Sequence, residues 1–152
     1  MKKWLLDNIW LISILIFGLV LRLVVINQSL WLDEAIGAIA VRDYSYQGII
    51  TTFLKFDNHP PLFYLLLKFW TGMFGYSEIA LRMPSIIFGL STVYLVNRIC
   101  RLISPKETKL AYVATTLIAT SQLHVYYSQE SRMYSLATFF ASLAIYFFLK
   151  SI

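Results

Sequence analysis

The sequence has little charge, almost no cysteine and few helix breakers. Of its 152 residues, 14% are charged, four are proline, six are glycine and one, Cys100, is cysteine. A single thiol excludes an internal disulfide framework and a multi-cysteine metal cluster. Charge this sparse excludes a disordered tail. It also fits poorly with a nucleic-acid-binding domain, although Lys plus Arg outnumber Asp plus Glu by 13 to 8. There is no GxxxxGK[ST] or GxGxxG phosphate loop, and neither GxSxG nor HExxH occurs. No nucleotide cofactor is therefore expected, and any active site has to be assembled across separate loops.

What the sequence has in abundance is apolar surface. Hydrophobic residues make up 59% of the chain, against roughly 45–50% in soluble domains. A water-soluble fold of this size has too little interior to hide that much Leu, Ile, Phe and Tyr. The expected fold class is all-α: a polytopic transmembrane helical protein, multi-pass in a cell membrane, with a structured first external loop. At about 20 residues per span, four or five apolar segments fit.

The first span is expected over 9–26. It is too long for a signal peptide's apolar region and is followed by no Ala-x-Ala site. Lys2 and Lys3 place its start on the cytoplasmic side. Arg22, near its outer end, would either snorkel to the interface or meet an anionic head group or substrate. Residues 27–61 form an external loop with juxtamembrane helices. Within it, WLDEAIGAIAVR can be helical, and SYQGIITTFLKF sets Ile49, Ile50, Phe53 and Leu54 at helical spacing. Asp57-Asn58-His59-Pro60-Pro61 ends the loop, because proline restricts the residue before it and offers no N–H.

Residues 62–74, which contain Lys68, are short and read as a re-entrant or short membrane helix. Further spans are expected over 82–97, 110–128 and 133–149, the first beginning near Arg82-Met83-Pro84. Arg98, Arg101, Lys106 and Lys109 follow 82–97 as a cytoplasmic basic cluster. That sidedness requires an odd number of crossings between the outer end of the first span and the cluster. It brings the Asp33-Glu34 loop and the 129–132 turn to the same outer face.

Ionisable groups near membrane depth are costly and often functional. Asp33 or Glu34 could activate a hydroxyl or bind a metal, or simply favour the start of a helix. His59 could be a ligand or acid/base group, or a hydrogen-bonded loop residue. Arg82 has planar donors suited to phosphate but could snorkel. Glu130 and Arg132, two apart, share no helical face and would flank a turn. Tyr126, Tyr127 and Tyr134 could form an aromatic belt or stack on a ligand. Taken together, these groups set acids for a base or metal and arginines for an anion on one face.

Four landmarks carry a resemblance: WLDEA at 31–35, DNHPPLFYLLLKFW at 57–70, GYSEIALRMPS at 75–85 and YYSQESRMYSL at 126–136. In order and spacing they resemble the membrane-embedded GT-C glycosyltransferases. The group is glycosyltransferase family 39, the dolichyl-phosphate-mannose protein mannosyltransferase-like enzymes, which include aminoarabinose lipid A transferases. The resemblance implies sugar transfer from a polyprenyl-phosphate-linked donor to a lipid, glycan or protein acceptor on the non-cytoplasmic side. It implies Asp33 as general base, with Glu34 orienting it or a cation. His59, Arg82, Glu130, Arg132 and Tyr127 would be substrate-binding. A divalent cation held by Asp33, Glu34 and His59 stays open.

Family enzymes continue through many more spans. The resemblance therefore implies an N-terminal module acting with a missing C-terminal domain or partner subunit. The competing readings are a non-catalytic membrane assembly or lipid-binding protein, and a small transporter if Arg22 and Lys68 line a pore.

Overall fold

The computed structural model describes residues 8–152, so the expected sidedness of Lys2 and Lys3 lies outside the described residues. The helices, in chain order, are α1 (Ile9–Leu23), α2 (Leu32–Asp43), α3 (Tyr46–Thr51), a 3-10 turn (Phe53–Lys55), α4 (Pro61–Phe74), α5 (Glu78–Ile103), α6 (Thr108–Thr120), α7 (Gln122–Ser128) and α8 (Tyr134–Ser151). The fold is all-α, with no strand among the described residues.

Helix α5 is the axis of the structure. It contacts α1, α4, α6 and α7, and most extensively α8. Helices α5 and α8 are long and apolar enough to cross a membrane, and α1 is a shorter apolar helix. At 14 residues, α4 extends only about 21 Å, short of the ~30 Å hydrocarbon thickness.

Helix α5 starts four residues before Arg82, earlier than the sequence suggests. Ser77 Oγ accepts from the Ala80 N–H at 3.2 Å and caps the first turn, so Pro84 lies inside the helix rather than at its start. Proline at 84 removes the N–H that would bond the Ala80 carbonyl. The Trp70 indole N–H, from α4, donates to that same carbonyl at 2.9 Å. The cost of the proline is thereby met by a neighbouring helix.

The uninterrupted span expected over 110–128 is also corrected. The helix breaks at Ser121, whose ψ of 119 leaves helical geometry. The freed Ala119 carbonyl accepts from Arg22 Nη1 at 3.2 Å. Arg22 itself is completely buried rather than snorkelling. It also donates to Gly18 O at 2.7 Å and to His124 Nδ1 at 2.7 Å. A buried guanidinium needs such carbonyls because leaving it unpaired in low dielectric is costly.

The segment between α1 and α4 forms a cap. Val41, Ile49, Phe63, Tyr64, Leu67, Leu81 and Leu136 make a shared apolar core beneath it. Ile49 is fully buried as its spacing predicts, whereas Ile50 is exposed. Lys68 turns toward the cap. Its Nζ donates to the Val41 carbonyl in the last turn of α2 at 2.8 Å, which suits a cation at a helix C-terminus.

Candidate functional site

Two adjacent acids at the start of α2 take different roles. Glu34 stands in the first turn, where its carboxylate accepts from the Trp31 N–H, the reciprocal half of a capping box. It is fully buried. Its Oε1 accepts from Arg82 Nε at 2.9 Å and from the Ser131 N–H at 2.7 Å, and Oε2 accepts from Arg82 Nη2 at 2.6 Å. The remaining Arg82 donors reach the carbonyls of Ile26 at 2.9 Å, Gln28 at 2.6 Å and Ser29 at 3.3 Å. This bidentate pair closes three segments onto one another: the chain after α1, the head of α5 and the 129–132 turn. No lone pair or donor is left over for a substrate phosphate.

Asp33 faces the other way. Its side chain is 42% exposed and its Oδ2 pairs with Arg132 Nη1. The Arg132 guanidinium is buried and lies over the rings of Trp31 and Tyr134, 5.5 and 5.3 Å from their centroids. Its Nη2 donates to His59 Nε2 at 3.0 Å and to the Tyr134 hydroxyl at 3.4 Å, while Nε has no partner.

Behind His59 stands Asp57. Its Oδ1 accepts from the His59 N–H at 3.1 Å, an Asx turn ahead of the Pro pair, and also contacts His59 Nδ1. Its Oδ2 accepts from the Tyr64 hydroxyl at 2.6 Å. Burial pushes the Asp57 carboxyl up, but hydrogen bonds from Tyr64 and His59 outweigh it and hold the group below its ordinary value. Asp33, Asp57, His59, Tyr64 and Arg132 line a cavity of about 270 Å³, walled by Ile36, Phe53 and Phe56.

The structure thus unites Asp33, His59 and Arg132 at one cavity and sets Glu34 and Arg82 beneath it. Glu130 is buried in the same turn but does not line the cavity. Burial raises its carboxyl above the usual range, against an opposing hydrogen bond from Tyr126. Tyr127 lines a separate cavity with His124, Tyr134 and Ser135. Asp57 and Tyr64 belong to the cavity and were not singled out by the sequence. The available signal was Asp-x-His immediately before Pro-Pro, the spacing of an Asx turn.

Among the described residues, no group of three or more His, Cys, Asp or Glu side chains could hold a metal ion. The donor chemistry agrees. Both Glu34 oxygens are committed to Arg82, and the Arg132 guanidinium bridges Asp33 and His59, where a cation would have to lie. The expected Asp33, Glu34 and His59 ligand set does not fit a divalent ion in this arrangement.

No curated protein and no solved structure matches the chain. Residues 58–152 do match a protein family, described as dolichyl-phosphate-mannose-protein mannosyltransferase. The matched stretch contains His59, Arg82, Glu130 and Arg132. It is joined to the acids of α2 by the Arg82 and Arg132 ion pairs. With more than half of its length matched, the chain belongs to the dolichyl-phosphate-mannose-protein mannosyltransferase family.

Proposed function

We propose that this chain carries the acceptor-activating site of a multi-pass membrane glycosyltransferase. The donor is a sugar on a polyprenyl phosphate, the acceptor a hydroxyl of a lipid, glycan or protein, and the site faces the non-cytoplasmic side. One observation carries the reading: of the two acids at 33–34, Asp33 alone is open to a cavity, and a buried arginine stands beside it.

In this reaction Asp33 accepts the proton of the acceptor hydroxyl as its oxygen attacks the anomeric carbon. The bond from that carbon to the phosphate oxygen breaks with its electron pair on the phosphate. Arg132, with an unpartnered Nε and a fork of N–H groups, offsets the charge that develops there. His59, next to Arg132, borders the same anion position. A single displacement inverts the anomeric centre. Glu34 and Arg82 serve by fixing Asp33 and the 129–132 turn relative to each other.

The test is transfer from polyprenyl-phosphate-linked sugars to a mixed lipid and protein acceptor pool. Membranes containing this chain are compared with membranes containing Asp33→Asn inserted at the same level. Loss of a general base lowers turnover by roughly 10²–10⁴-fold. Undiminished product from Asp33→Asn would overturn the assignment.

A further inference from the structure

We infer that Asp57, backed by Tyr64, is a positioning residue that fixes the tautomer of His59 and thereby sets Arg132. The inference rests on the proposed role of Arg132 for its functional consequence, but its structural part stands alone.

The argument is one of donors and acceptors. A guanidinium can only donate, so the 3.0 Å contact from Arg132 Nη2 requires a lone pair on His59 Nε2. A neutral imidazole with a lone pair on Nε2 carries its proton on Nδ1. That nitrogen faces Asp57 Oδ1, a carboxylate oxygen that can only accept. Asp57 is held in turn by the Tyr64 hydroxyl on its other oxygen and the His59 N–H on the same one. Tyr64 is buried in the core, with Phe53 packed edge-on at 5.1 Å. The relay therefore runs from a fixed core tyrosine to the exposed Asp33: Tyr64, Asp57, His59, Arg132, Asp33.

The consequence is directional. With Nδ1–H fixed, His59 and the Tyr134 hydroxyl hold the two N–H groups of Arg132 Nη2, which leaves Nη1 turned to Asp33 and an incoming anion. With the opposite tautomer, an N–H would point at an N–H and Arg132 would lose that anchor. The hydrogen bonds of Asp57 go to His59 and Tyr64 and none to Arg132 or Asp33, so it acts through His59.

NMR of the imidazole nitrogens in isotope-labelled, lipid-reconstituted protein tests this, with His59 signals assigned by their loss in His59→Gln. Wild type is expected to show the Nδ1–H form. Asp57→Asn, whose carboxamide can donate as well as accept, shifts the population toward Nε2–H. Tyr64→Phe gives a smaller shift in the same direction and guards against misfolding of the first variant.

In the transfer assay, Asp57→Asn lowers kcat/KM for the donor roughly tenfold, as for one lost hydrogen bond to a charged group, with kcat falling as well because Arg132 offsets charge that develops at the leaving phosphate. An Nε2–H imidazole in wild type, an unchanged tautomer in Asp57→Asn, or a shifted tautomer with unchanged kcat/KM for the donor would each overturn the inference. A confirmed tautomer shift in a protein that transfers no sugar would instead overturn the proposed function and leave the positioning role standing.

Discussion

Burial, more than charge type, separates the roles of the two acids at 33 and 34. Asp33 is half-exposed but its partner Arg132 is buried, so Asp33→Asn should cost about 1–3 kcal/mol of stability, less than breaking a fully buried pair, while lowering turnover. Glu34→Gln leaves the buried Arg82 charge uncompensated and should cost about 3–5 kcal/mol, read as a fall in thermal unfolding temperature in detergent. An isolated buried pair can often be replaced by apolar residues at little cost. Here the double change Glu34→Leu with Arg82→Met should not recover stability. Arg82 also satisfies three backbone carbonyls, and Glu34 the N–H groups of Trp31 and Ser131. Recovery to near wild type would show that those backbone groups find other partners. Glu130 gives a pH prediction of the opposite sign to a salt-bridged acid. Its folded pKa lies above the ordinary 4.5 because burial disfavours the charge. Its stability contribution is thus full below that value and is lost as pH rises through the raised pKa. Glu130→Gln should raise the unfolding temperature at neutral pH and flatten the slope above pH 4.5; a lower unfolding temperature in Glu130→Gln would refute this.

At the level of helices, the sequence reveals the periodic parts and hides the paired ones. The helices within 9–26 and 133–149 and the helical cap segments are legible because they follow hydrophobic runs and spacing. The early start of α5 and the break at Ser121 are not, since each depends on a partner far along the chain: Trp70 for the Ala80 carbonyl, Arg22 for that of Ala119. The same holds at the site. Glu34 with Arg82 and Asp33 with Arg132 are 48 and 99 residues apart, so nothing local announces which acid meets which base. The Trp70 bond is testable by a double-mutant cycle. Trp70→Phe orphans the Ala80 carbonyl at a cost of about 1–3 kcal/mol. Pro84→Ala restores a helical N–H to that carbonyl, so Trp70→Phe should cost clearly less in its presence. Equal costs in both backgrounds would deny the compensation. Gly89 marks another such contact: a Cβ there would lie 2.3 Å from Ser128 Oγ and 2.9 Å from its Cβ, so α5 and α7 can approach only at a glycine.

For the whole molecule, the decisive quantity is the length of α5. Arg82 lies near its start in the acid cluster, and Arg101 lies near its end. Arg101 donates there to Asn97 Oδ1 at 2.9 Å and to the Tyr112 hydroxyl at 3.0 Å. Arg101 stands nineteen helical steps beyond Arg82, or about 28 Å at 1.5 Å each, close to the hydrocarbon thickness of a bilayer. The intervening residues carry no charge until Arg98. On this spacing α5 should cross a membrane, with the cap and its cavity on one side and the basic residues on the other, the side that the positive-inside preference assigns to the cytoplasm. On that topology the short α4, held by Lys68 to α2 and by Trp70 to α5, should stay with the cap, because a further crossing would bring both ends of α5 to the wrong sides. In a Cys100→Ser background, a cysteine at exposed Gln47 in the cap should react with a membrane-impermeant maleimide on intact cells. One at exposed Glu107 should react only after permeabilisation. Reaction of both from outside would deny α5 its crossing and, with it, the outward-facing site.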